Sequence, residues 1–121
     1  MTEEELNKIV DFYEKYLGQL DRETIKEQLL DNLKYATVDY ATDEKGEVIG
    51  LCRWNVTNNI AHILDLTIAP EWRKRGLGNH FLTRGLKLWK NVTHIEFMRA
   101  KKGGKRIRLI PVEYILKHSS F

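Results

Sequence analysis

Residues 68–79 read I-A-P-E-W-R-K-R-G-L-G-N. A strand-like run, H-I-L-D-L-T-I (62–68), leads in, and a helix-like run, F-L-T-R-G-L-K-L-W (81–89), leads out. The chain therefore changes period here, with three adjacent cations and two glycines at the junction. Pro70 ends the strand, since it has no N–H with which to extend a ladder.

Downstream, Leu77, Phe81, Gly85 and Leu88 line one helical stripe, with Leu82, Leu86 and Trp89 beside it. A glycine inside a helix costs about 1 kcal/mol against alanine, so close packing on the sheet is expected at Gly85. T-H-I-E-F-M-R (93–99) reads as the next strand. Strand, helix and strand make a βαβ unit, with parallel strands and a right-handed crossover. K-G-G-K (102–105) then reads as a two-residue hairpin turn with glycines at both central positions. K-R-I-R-L-I returns as a strand, and Pro111 starts a short helix.

Upstream, T-V-D-Y-A-T (37–42), E-V-I-G-L-C-R-W-N-V (47–56) and the strand before Pro70 form an antiparallel meander. Two helices precede it. Thr2 caps the first, with Glu5 as its capping-box partner and Leu6, Ile9, Val10, Tyr13, Tyr16, Leu17 and Leu20 on its apolar side. Asp21 caps the second, whose face is Ile25, Leu29, Leu33 and Ala36. The expected fold class is α/β (α+β): a mixed sheet of about five strands, a meander followed by a βαβ unit, with two N-terminal helices.

The 121 residues fit a single domain, 1–121. No apolar run approaches the ~18 residues of a membrane span, and the acidic start lacks a secretory pattern. With the lone Cys52, this points to the reducing cytoplasm. Residues 1–47 carry 13 acids and 6 bases, whereas 48–121 carry 4 acids and 14 bases. Six cations fall in 99–108. That segment reads either as a solvated hairpin guarding a sheet edge or as a nucleic-acid contact.

A helix N-terminus leaves amides unpaired and carries partial positive charge. Glycines let an anion approach, and Arg73, Lys74 and Arg75 add full charges. The junction is therefore built to cradle a pyrophosphate. It is not a P-loop, which needs G-x-x-x-x-G-K-[ST], and it lacks the third glycine and the parallel context of a dinucleotide fingerprint.

Arg73-Lys74-Arg75-Gly76-Leu77-Gly78, after Ile-Ala-Pro-Glu, resembles motif A of the GNAT N-acetyltransferases, and Glu47-Val48-Ile49-Gly50 resembles the family's E-x-x-G strand. The resemblance covers residues 37–98. It implies acetyl-CoA as cosubstrate, in a gap between the motif strand and the next parallel strand. By position, the main chains of Leu66 and Ile68 meet the thioester and pantetheine arm. Arg73, Lys74, Arg75, Gly76, Leu77, Gly78 and Asn79 hold the pyrophosphate. An amine acceptor, a small molecule or a protein, attacks the thioester directly. Family members commonly add a further helix and two strands, which help build the acceptor wall. Here a hairpin stands in their place, as in short members carried by phages. A second subunit could complete the wall as a homodimer.

Three residues are candidates for proton transfer. His62 stands where the histone-acetylating branch has a glutamate base, and it also reads as a polar strand start. Asp65 interrupts an apolar strand, and strict alternation points it away from His62, Leu64 and Leu66. It reads as a base or ammonium ligand, or as the ion-pair partner of a cation such as Arg53. Tyr114 is the one tyrosine after the motif, so it is the candidate for protonating the leaving thiolate; it also reads as packing of the terminal helix. Trp54 and Trp72 flank the expected cleft, and Cys52 reads as a small buried hydrophobe. No metal-ligand spacing links His62 or His94 to the cysteine. A silent acyl-CoA-binding module, a basic nucleic-acid-interacting protein and acyl transfer to a nucleic-acid base stand as alternatives.

Overall fold

The computed structural model describes residues 1–18, 20–101 and 104–117. Helices α1 (Glu3–Leu17) and α2 (Arg22–Asn32) precede strands β1 (Thr37–Thr42), β2 (Val48–Thr57) and β3 (Ile60–Ile68). A 3-10 turn (Pro70–Trp72) leads to α3 (Leu77–Leu88), β4 (His94–Lys101), β5 (Gly104–Pro111) and α4 (Val112–Lys117). The five strands form one sheet in chain order. Only β3 and β4 pair in parallel; the other neighbours are antiparallel. This is the expected meander followed by a βαβ unit. Among the described residues, no helix is long and apolar enough to cross a membrane.

The helix starts follow from their caps. The Thr2 hydroxyl accepts from the Glu5 amide at 3.1 Å, and the Glu5 carboxylate accepts from the Thr2 amide at 3.2 Å. The Asp21 carboxylate accepts from the Thr24 amide at 2.8 Å. α2 stops at Asn32, so Ala36 lies beyond its face and only Ile25 and Leu29 are buried there.

The sheet separates two cores. Leu6, Ile9, Val10, Phe12, Ile25 and Leu29 pack with Leu51 on one face. Phe81, Leu82, Trp89, Ile95, Ile110 and Ile115 pack with Cys52 on the other. Leu51 and Cys52 enter opposite cores because neighbouring strand side chains point to opposite faces. Two stripe assignments change. Phe12, absent from the expected α1 stripe, is buried with its ring against Tyr13 and Tyr16. Leu88 is 65% exposed, because the inward face of α3 runs through Phe81, Leu82 and Gly85 and ends at Trp89.

Two glycines record close approaches. A Cβ on Gly50 would lie 2.8 Å from Leu77 Cδ2 and 3.2 Å from Phe81 Cε2, so the start of α3 rests directly on β2. At Gly85 the neighbour is not the sheet. A Cβ there would lie 2.4 Å from Cζ2 of Trp89, whose indole folds back under its own helix and meets Trp54 edge-on at 5.2 Å. In the β4–β5 hairpin Lys101 pairs with Gly104, which puts Gly104 in the strand rather than at a turn centre. Of the turn read at 102–105, residues 102 and 103 lie outside the described residues.

Gly85→Ala is expected to destabilise the protein. The helix gains about 1 kcal/mol in propensity, but displacing a buried indole costs about 1–3 kcal/mol. Thermal unfolding should show a lower midpoint than the parent; a higher one would refute the Trp89 contact.

Candidate active site

The β2–β3 register contains one irregularity, and it shapes the site. His62 pairs with Asn55, Ile63 with Trp54, and Asp65 with Arg53, leaving Leu64 without a partner across the ladder. One extra residue in a strand is a β-bulge, and it resets the alternation of side chains beyond it. Asn55 and Arg53 are two apart on β2 and share a face, so their partners His62 and Asp65 share it too. Both side chains face α1 and α2. The opposite orientation expected from strict alternation is thus corrected.

Past the bulge, β3 leaves β4. Parallel pairing runs only from Ile60–His94 to Ile63–Phe97, although β3 continues to Ile68 and β4 to Lys101. The strands splay into a gap. The Ala69 amide donates to the Ile49 carbonyl at 2.8 Å, back toward β2. Strand main-chain groups alternate in direction, so those of Leu66 and Ile68 point into the gap. The Ile68 carbonyl accepts there from Nε of Arg73 at 3.2 Å.

The connection to α3 lies at the open end of this gap. The Arg73 amide donates to the Pro70 carbonyl at 3.3 Å. Lys74 and Gly76 both take left-handed backbone, at φ 63° and 81°. α3 starts at Leu77 with Gly76 as its cap, and no side chain caps it. The first-turn amides of Leu77 and Gly78 therefore face outward from the helix end. A Cβ on Gly76 would meet nothing within 4 Å, whereas one on Gly78 would reach Leu66 and Ile68 at 3.8–3.9 Å. The Arg75 guanidinium stacks on Trp72 at 5.0 Å. Open space at Gly76, outward amides and three cations fit a pyrophosphate group.

On the α1/α2 face lies a pocket of about 350 Å³. α1 contributes Tyr13, the α1–α2 link Leu20, and α2 Ile25, Gln28, Leu29 and Asn32. Arg53, Leu64 and Asp65 form its floor. Asp65 accepts from the Tyr13 hydroxyl at 3.0 Å and from the Thr67 hydroxyl at 2.7 Å. Nε of Arg53 stands 3.5 Å from the same carboxylate. Burial, then the Asp65 charge, pushes the Tyr13 phenol well above its ordinary range. The sequence reading placed Tyr13 on a core stripe and missed its role here. The available signal was its polar tip, since a buried tyrosine hydroxyl needs a partner.

His62 lies outside the pocket lining, near the closed end of the gap. Its Nε2 is 2.6 Å from the Thr57 hydroxyl and its Nδ1 is 3.1 Å from the Glu96 carboxylate. His62 pairs with Glu96 across the parallel ladder, one step before the pairing ends. Helix α4, which carries Tyr114, starts at the other end of β4. The Val112 amide bonds the Thr93 carbonyl at 2.9 Å, tying α4 to the start of β4, while the gap opens beyond Phe97. Trp54 packs with the α3-side core and Trp72 with the α1-side core.

Cys52 is 2% exposed, and its thiol is pushed up to about 12 by burial first and by the Asp39 and Asp65 charges second. A disulfide-exchange reagent at pH 8 should therefore leave the native thiol untouched and react fully once denaturant is added. Rapid reaction of the folded protein would contradict this burial.

The family model for the acetyltransferase (GNAT) family matches residues 3–109. No curated protein sequence matches the chain. Among solved structures, the chain is similar to the PaiA N-acetyltransferase of Thermoplasma acidophilum in complex with coenzyme A. The TM-score is 0.65 at 16% identity, over 92% of this chain and 95% of that one. A spermidine N-acetyltransferase SpeG chimera from Vibrio cholerae and hSSAT gives 0.66 at 14% identity, over 97% and 96%. Tetrahymena GCN5 gives 0.59 at 15% identity, over 79% of this chain and 61% of that one, so this chain spans about three fifths of its length. At these identities the likeness is one of fold. The family match covers nearly the whole chain: the protein belongs to the GNAT acetyltransferase family.

Proposed function

We propose that residues 1–121, acting as one domain, transfer an acetyl group from acetyl-CoA to a primary amine by direct attack in a ternary complex. The observation that carries this reading is the convergence on β3 of a splayed gap, an anion cradle at its open end and an acceptor-sized pocket on the α1/α2 face. The pantetheine arm lies along the main chain of Leu66 and Ile68, pairing with the free edge of β3 as an added strand does. Arg73 to the side, Lys74, Arg75 and the amides of Gly76, Leu77, Gly78 and Asn79 hold the pyrophosphate. A main-chain N–H at the gap stabilises the charge that develops on the thioester oxygen.

The acceptor enters from the pocket, because Leu64 and Asp65 belong both to the pocket floor and to the strand that borders the gap. Asp65 holds its ammonium. His62, oriented through Nδ1 by Glu96, faces the same side and takes a proton through an intervening water. Tyr114 has no part in this scheme, since α4 is tied to the far end of β4.

Calorimetric titration should show acetyl-CoA binding to the parent and at least about tenfold weaker binding to Gly76→Glu, which sets bulk and negative charge in the cradle. Gly76→Asn, which tolerates left-handed backbone, serves as the folded control. Equal affinity in the glutamate variant would remove the cradle assignment. His62→Ala should lower kcat by about 10²-fold or more with little change in KM. An unchanged kcat would remove His62 from the proton path.

A further inference from the structure

The pocket beside the bulge carries a charge arrangement that narrows the acceptor. Among the described residues, Asp65 and Arg53 are the only Asp, Glu, Lys or Arg side chains that line it. Asp65 already accepts from two hydroxyls. Arg53 is differently placed. Its closest approach to Asp65 is 3.5 Å through Nε, and that buried donor makes no hydrogen bond. That Nε is closed to solvent, but the Arg53 side chain as a whole is 22% exposed and lines the pocket, where its guanidinium can meet a ligand. A planar guanidinium takes a carboxylate by paired N–H donors.

Of the other described lining residues, Leu20, Ile25, Leu29 and Leu64 are apolar, while Tyr13, Gln28 and Asn32 add polar groups. Leu20 and Leu64 stand 48% and 43% exposed, with Ile25 and Leu29 buried behind them. Exposed apolar side chains grouped around a cavity mark a binding surface. The volume of about 350 Å³ sits at the small end of the ~300–1,000 Å³ range of ligand pockets. It suits a small molecule with one apolar arm.

We propose that the acceptor is a free α-amino acid with an apolar side chain. Its carboxylate binds Arg53, its ammonium meets Asp65, and its side chain lies among Leu20, Ile25, Leu29 and Leu64. An α-amino acid carries both charges on one carbon, which matches two protein charges whose closest atoms are 3.5 Å apart. A polyamine brings several cations to one carboxylate that Arg53 already faces. A protein lysine or N-terminus brings no carboxylate for Arg53. The inference rests on the acetyl-transfer reading above. In the reaction, the bond from nitrogen to the acetyl carbon forms and the carbon–sulfur bond breaks, its electron pair leaving on sulfur. The ammonium loses two protons; one ends on the thiolate and the other in solvent.

The test measures thiol release from acetyl-CoA with leucine, methionine and phenylalanine, with their amides, and with spermidine and a lysine peptide. The free amino acids should react with kcat/KM at least about tenfold above their amides. Arg53→Gln should erase that difference and Arg53→Lys should keep part of it. The acid-to-amide comparison on the unaltered protein decides the matter even if the variants fail to fold. Equal rates for acids and amides, or transfer only to spermidine or the peptide, overturn this inference and leave acetyl transfer standing. Absence of acetyl-CoA binding overturns both.

Discussion

One extra residue in β3 organises the site. Leu64 has no partner in the β2–β3 ladder, and two consequences follow from that single register shift. The strand turns away from β4 directly after Ile63, leaving main-chain groups of Leu66 and Ile68 facing a gap. The side-chain alternation also resets, which brings Asp65 onto the same face as His62. In an unbulged strand Asp65 would point at the α3-side core beside Ile63, away from Tyr13 and Arg53. A bulge disrupts a local ladder, and its recurrence beside active sites reflects how it re-aims side chains.

α1 holds the two ends of this arrangement together. Its Tyr13 hydroxyl binds Asp65 on β3, and its Tyr16 hydroxyl binds the Glu71 carboxylate at 2.8 Å, next to the turn that leads into the cradle. Phe12, between them, is buried in the core that also receives Trp72. Pocket and cradle are therefore referenced to one helix. Across the sheet, Arg84 of α3 pairs with Asp39 of β1 at 2.8 Å, and Gly50 lets Leu77 and Phe81 sit against β2. The start of α3, on which the cradle depends, is thus fixed by the Leu77 and Phe81 side chains resting on the β2 backbone at Gly50.

Much of the fold was legible in local chemistry. Thr2 with Glu5, and Asp21, marked helix starts, Pro70 marked a strand end, and the change from alternating to helical spacing marked the βαβ unit. The cradle was legible because glycines and cations cluster where a strand becomes a helix. The acceptor side was less so. Tyr13 looks like one more apolar position on α1 until Asp65 is brought opposite it, 52 residues away in sequence. Arg53 was visible only as one partner for Asp65; the donor it leaves unpaired was not. Gly85 signalled close packing, but the ring that demands it, Trp89, is four residues on at the C-cap of the same helix rather than in the sheet.

The sequence by itself determined the elements, their order, the parallel β3–β4 pair and the position of the cradle. Each depends on periodicity, capping or turn chemistry within a few residues of chain. Only the tertiary structure decided which face Asp65 takes, where β3 and β4 part, which tyrosine meets the site and what Arg53 lacks. These depend on the pairing register between strands, and H-I-L-D-L-T-I alternates plausibly with or without a bulge. A one-residue slip leaves the local pattern unchanged and sends every later side chain to the other face.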